Sequence, residues 1–293
     1  MKLKFPLIAF LGFLLYTTGS SQTTGAESQA LNPNPEVIAV APKKNSFFIT
    51  PYYEFTRFKN LKLVEHTNYY LLPEGEFSDV YLQEDLDDYN NNYGTEYQSG
   101  LAGIKLGYQV FEDFGINAYG GLTHFNFKSW ESDENTQYLN TQYPAVSFGG
   151  GVDYQKPLYQ KLTVKSIFLI NYCLAGTPGV NKNSNDKVLS SDLKSMFLEF
   201  DLALAYPLGK FLPYAGVGYT QQFIHSVYKV QVLATDDDGN DFYNETEFDS
   251  HFKGSSLYGF VGLEYRLNKG ASVYLRSSFP DPLRTNLGFN IFL

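Results

Sequence analysis

The chain has little cysteine and little charge, and after its first residues it has no long apolar run. A single cysteine, Cys173, excludes an intrachain disulfide and a zinc site of the CxxC type. Charged residues make up 18% of the 293, against about 25% in an ordinary soluble domain. The 22 basic residues are outnumbered by 31 acidic ones, and a net charge of −9 leaves no basic face for phosphate, so nucleic acid is not an expected partner. HExxH, GxSxG and a phosphate-cradling glycine loop are missing. The acidic run Asp236–Asp241 lacks EF-hand spacing and reads as a solvated loop. The sequence therefore predicts no metal, no cofactor and no catalytic residue. What it holds in quantity is tyrosine and phenylalanine, 24 and 25 residues, which suit lipid and its interfaces.

Lys2 and Lys4 precede the apolar run Phe5–Tyr16, and small residues follow through Gln22. That order of charged, apolar and cleavage regions predicts a secretory signal over 1–21. The run is too short for a comfortable membrane-spanning helix, which takes about 20 residues. Residues 22–45 are polar and proline-bearing and read as a flexible periplasmic tail.

From residue 46 onward the pattern alternates with a period of two, which marks strands with one apolar face. Ten are expected, near 46–58, 99–111, 114–128, 144–156, 161–174, 193–206, 211–227, 254–267, 270–278 and 284–293. Each can cross a bilayer at a tilt, which takes about 9–11 residues. Mid-strand charges fall opposite the apolar stripe: Glu54, Lys105, Asp153, Lys165, Glu199, Asp201, Glu264, Arg266, Arg276 and Arg284. A lipid-facing Lys or Arg at the midplane would cost about 2–4 kcal/mol, so the apolar stripe is placed in lipid and the charges inside. In 114–128, Phe125 and Phe127 sit out of phase with Ile116 and Leu122, which suggests a bulge.

Three features point to a membrane barrel rather than a soluble one. The connections alternate between short ones, near 112–114, 156–160, 207–210 and 268–270, and long polar ones, near 59–98, 129–143, 175–192 and 228–253; 279–283 alone on that second side is short. Short periplasmic turns and long external loops are the outer-membrane arrangement. Strands entering the short turns end in outward tyrosines, Tyr108, Tyr154, Tyr206 and Tyr265, as an interfacial girdle requires. The chain closes on Leu287, Phe289, Ile291 and Leu293. This closing strand resembles that of bacterial outer-membrane β-barrel proteins, whose alternating apolar end and terminal aromatic are read by the barrel-assembly machinery. Here Leu293 stands last, with Phe292 one place earlier. The resemblance spans 46–293 and is architectural.

The fold expected is all-β: an antiparallel, up-and-down transmembrane barrel of about ten strands (8–12), in the outer membrane and in contact with its lipid. A barrel this narrow can be filled by its own side chains. The lumen charges then form either a packed polar network, which the narrowness favours, or the lining of a small pore. The loops 59–98 and 228–253 offer surfaces to an extracellular protein or glycan. The main expectation is a non-enzymatic structural, surface-interaction or porin-like barrel. The alternative is an outer-membrane hydrolase at the external rim, either lipid-modifying or similar to the omptin proteases, ten-stranded barrels that use acidic and His residues there. His66, His124, His225 and His251, with Glu65 and Asp249, fall near that rim. The mass of the chain recovered from outer membranes is expected to place its N-terminus at or next to Gln22; an intact Met1 would remove the signal.

Overall fold

Extended residues put successive side chains on opposite faces, and all ten expected strands are present. The computed structural model describes residues 46–59, 61–72, 75–92, 94–130, 136–140, 144–159, 161–176, 187–235 and 241–293. In chain order the elements are β1 (Phe47–Lys59), β2 (Lys62–Leu72), β3 (Gly75–Val80), α1 (Gln83–Asn92), β4 (Gly94–Phe111), β5 (Phe114–Trp130), β6 (Thr136–Asn140), β7 (Ala145–Tyr159), β8 (Leu162–Gly176), β9 (Lys187–Ala205), β10 (Phe211–Thr235), β11 (Asp241–Asn268), β12 (Ala271–Phe279) and β13 (Leu283–Phe292). The signal and tail expected over 1–45 and the acidic residues 236–240 lie outside the described residues.

Ten of these strands form a closed antiparallel ring, β1-β4-β5-β7-β8-β9-β10-β11-β12-β13 and back to β1. The closing pair runs from Phe48↔Phe292 to Arg57↔Leu283, and the Leu293 N–H donates to the Phe47 carbonyl at 2.8 Å. Closure leaves no unpaired edge for lipid to meet.

Several features differ from the sequence expectation. The 59–98 connection is not a plain loop: it holds β2, β3 and α1. β2 pairs with the outer half of β11, Glu245↔Leu71 to Lys253↔Lys62, and β3 pairs with β2. β6 pairs with the outer end of β5. β10 and β11 run 25 and 28 residues, far beyond the crossing length, as one hairpin in continuous register. β5 has no bulge in its wall: its pairing with β4 is unbroken from Trp130 to Gly115. Phe125 and Phe127 are buried on the lumen face, and Ile116 and Leu122 stay exposed outside. The strand keeps its faces, and what changes with height is the polarity of the lumen.

β12 and β13 are short, 9 and 10 residues. Above them the edge of β11 is free, and β2 takes it. Helix α1 lies against β2. Its N-terminus is held by Asp85, whose Oδ2 accepts the Leu82 N–H at 2.8 Å, half of a capping box. Asn90 clasps β2 at both ends of one residue, accepting the Leu63 N–H and donating to the Leu63 carbonyl, each at 2.8 Å.

Lumen rings repeatedly lie over a cross-strand glycine, as Tyr214 does over Gly262 and Tyr119 over Gly149, a pairing that packs the strand where a side chain is missing. A Cβ on Gly149 would sit 2.1 Å from the Ile170 carbonyl oxygen and 2.6 Å from the Tyr119 ring; on the outward Gly120 the nearest atom is 3.7 Å away. Gly149→Ala is expected to lower stability by about 1–3 kcal/mol, and Gly120→Ala by less than about 0.5 kcal/mol, in urea unfolding from lipid vesicles; equal effects would refute the packing.

Candidate functional site

The wall sorts its residues by face. Outward positions are apolar and exposed, with Leu257 at 77%, whereas the lumen carboxylates Glu199 and Asp201 are 4% and 1% exposed. Between the periplasmic tyrosines and the outer rim, no outward position on the ten strands carries Asp, Glu, Lys or Arg among the described residues. The first outward charges on the extracellular side are Arg57 with Glu96, Lys194 and Lys253. Arg57 binds Glu96 by two hydrogen bonds of 2.8 Å, at the level where headgroups and water begin. The predicted girdle occupies the other end. Phe47 packs on Tyr108 with ring centroids 4.6 Å apart, and Phe211 on Tyr265 at 4.9 Å; Tyr154 is paired with Phe114, and Tyr206 is exposed. Leu287 and Leu293 face outward and exposed on the closing strand.

The lumen has two layers. The layer on the periplasmic side is ionic, and eight of the ten predicted charges line a cavity of about 250 Å³ there. Arg276 Nη2 lies 2.7 Å from Asp201 and 3.2 Å from Glu199, with its guanidinium 4.2 Å from the Phe260 ring centroid. Arg284 bonds Glu199 and lies 3.6 Å from Glu54. Tyr258 donates to Asp201 at 2.7 Å, Asn286 to Glu54 at 2.9 Å and Ser272 to Glu264 at 2.5 Å. Lys105 and Lys165 sit over the rings of Phe48 and Tyr214, 5.7 and 5.8 Å from their centroids. Asp153 and Arg266 are not among the cavity residues. Asp153 accepts from Asn117 at 3.2 Å, and Arg266 shares the lumen parity of Glu264. The ten charges are five carboxylates and five cations, so the enclosed set is formally neutral.

The layer on the extracellular side is apolar. Phe58, Tyr97, Phe125, Phe127, Phe197 and Phe252 project inward from the wall, and Leu61 just before β2, Leu63 of β2 and Leu86 of α1 complete one buried cluster. Phe127 meets Phe252 edge-on at 4.9 Å. A Cβ on Gly254 would strike both Phe58 and Leu61, at 2.5 and 2.7 Å, so that glycine lets β2 close onto the wall. Tyr97, Phe197 and Cys173 belong to this cluster and also line the cavity below: the apolar layer is the cavity's roof.

A closed ring, hydrocarbon-facing apolar side chains and an enclosed neutral ionic layer have one solvent that fits them. The chain is an integral outer-membrane β-barrel.

No family model matches this barrel, and no curated protein does. Among solved structures, it is similar to the outer membrane protein OprG from Pseudomonas aeruginosa (10% identity, 87% of this chain and 99% of that one, TM-score 0.37). It is also similar to the outer membrane protease OmpT from Escherichia coli (9%, 86% and 98%, TM-score 0.39) and to the transport unit of the autotransporter AIDA-I from Escherichia coli (9%, 89% and 92%, TM-score 0.40). These likenesses carry no argument about activity; the assignment rests on the wall.

The rim histidines are positioned by β2, β5, β10 and β11. His66 Nδ1 and Ser250 Oγ are 2.7 Å apart, on the inward face between β2 and β11, and burial holds the His66 imidazole below its ordinary pKa. His225 Nε2 lies 2.8 Å from Asp249, on the outward face. Asp249 and Ser250 are consecutive in a strand and point to opposite sides, so the two pairs do not join into a Ser-His-carboxylate relay. His124 is exposed on the outside of β5, apart from both.

Sequence reasoning missed the apolar roof and the α1 contact. The out-of-phase Phe125 and Phe127 were the available signal. Glu199 bridges Arg276 and Arg284, and removing one partner of a buried pair costs about 3–5 kcal/mol. Glu199→Gln in the refolded barrel is expected to fall in that range by urea unfolding, with little salt dependence; an effect under about 1 kcal/mol would show that water already screens the network.

Proposed function

We propose that this barrel is closed and non-enzymatic, a membrane anchor that presents β2, β3, α1 and the β10–β11 hairpin at the cell surface to an extracellular partner. The observation that carries the reading is the apolar roof. A pore needs a continuous polar path, and here any ion rising from the cavity meets a layer of packed apolar side chains, phenylalanines and leucines foremost, contributed by eight wall strands, the β2 segment and α1. The roof is also a surface device: the same leucines that fill the lumen fix β2 and α1 in place, so the exposed side of that layer is presented rigidly.

The exposed side has a definite character. Val64, Tyr69, Val80 and Leu82 are exposed hydrophobics on β2, β3 and the residues leading into α1. The same segment carries the acidic helix residues Glu84, Asp85, Asp87 and Asp88. A segment with both exposed apolar groups and carboxylates suits a protein surface with apolar and basic groups better than an anionic glycan.

Planar-bilayer recording separates the closed reading from the small pore. The wild-type barrel is expected to give no steady conductance steps, and the triple variant Leu61→Ser, Leu63→Ser, Leu86→Ser to give them, because water then enters the roof. Steady steps from the wild type would overturn the closed reading.

A further inference from the structure

Above the hydrocarbon belt, on the outward face of the β10–β11 hairpin, two imidazoles and a carboxylate converge. His225 and His251 are direct cross-strand partners, with ring centroids 4.1 Å apart and planes 12° from parallel. Asp249 sits on the diagonal, its Oδ1 2.8 Å from His225 Nε2 and 3.5 Å from His251 Nε2. One ligand atom from each residue lies within 4.8 Å of the other two, and all three side chains are half-buried, so an ion from solution can reach them.

We propose that His225, Asp249 and His251 bind a divalent transition metal of the zinc class. In a tetrahedral zinc site, bonds of about 2.0–2.2 Å put ligand atoms roughly 3.3 Å from one another. The two Asp249 distances bracket that value. The histidine pair needs only a rotation of the rings toward each other at their Nε2 edges. The donor set selects the metal class: imidazole nitrogens suit zinc, copper and nickel, whereas calcium takes six to eight oxygens and finds one carboxylate here.

A fourth ligand has an address. Glu65 of β2 is paired with His251 on the other side of β11, so it faces the same way, and directly opposed residues have Cβ atoms about 4.5–5.5 Å apart. Glu65 or water completes the shell. Of the cations on this face, Lys229 lies 3.5 Å from Glu247. Lys194 is opposite His225 on β9, and Lys253 lies with its Nζ 5.8 Å from the Phe223 ring centroid. A metal here ties β10, β11 and, through Glu65, β2 together on the side away from the apolar roof. The site does not depend on the closed-barrel reading, since a conducting barrel would carry it equally.

The test is zinc titration calorimetry on the detergent-folded, chelator-stripped chain without a polyhistidine tag. One zinc per chain is expected, with His225→Gln and His251→Gln each weakening binding about tenfold or more and His124→Gln leaving it unchanged. Each variant is first checked for the heat-dependent electrophoretic shift of a folded barrel. Wild-type affinity no better than that of the His225→Gln, His251→Gln double variant would overturn the proposal. Zinc-edge X-ray absorption on the wild type needs no variant: two imidazoles in the first coordination shell support the site, and a shell without imidazole overturns it.

Discussion

Hydrocarbon offers no hydrogen bonds, so a chain that crosses it as strands has to pair its backbone all the way around. The β1–β13 register meets that requirement, and much of the architecture follows from it. Once the ring closes, each strand has one face that only lipid can touch and one that only the protein can fill. The wall then becomes a sorting device. Its outward positions tolerate Leu, Val, Ile and Phe, and every ionised side chain within the belt must find its counterpart inside. Arg276, Arg284, Glu199, Asp201 and Glu54 do so by direct bonds, and Lys105 and Lys165 lie against aromatic faces.

The two lumen layers serve different ends. Buried ion pairs return little net stability, because desolvating the charges offsets most of their attraction. Their value is that they fill a narrow space in one way. The apolar layer contributes stability in the ordinary sense, about 1.5–3 kcal/mol for each large side chain withdrawn from water. It resembles the core of a soluble domain, assembled from the outer ends of wall strands and capped by β2 and α1.

The wall was legible in the sequence because a period of two is a strong signal and because mid-strand charges kept to one face. Residues such as Leu263, Glu264 and Arg266 report their surroundings one by one. The outer half was less legible because the rule that the lumen is polar stops holding there. Phe125 and Phe127 broke that rule and suggested a bulge, when they marked the floor of a core. Helix α1 was hidden by its composition: in QEDLDDYNNN only Leu86 is buried, so there is no apolar stripe to read, and its partner strand β2 finds β11 almost at the far end of the sequence. The three members of the proposed metal site were visible singly, but only the hairpin register puts His225 against His251.

The short β12–β13 hairpin leaves a notch in the wall, and its filling by β2 joins distant parts of the chain. β2 is made early, directly after the first wall strand, yet the edge it needs belongs to β11, which arrives only when nearly all the rest has been made. Leu61, Leu63 and Leu86 therefore have a complete core only where the early and late parts of the chain meet, and the barrel is sealed by its own beginning.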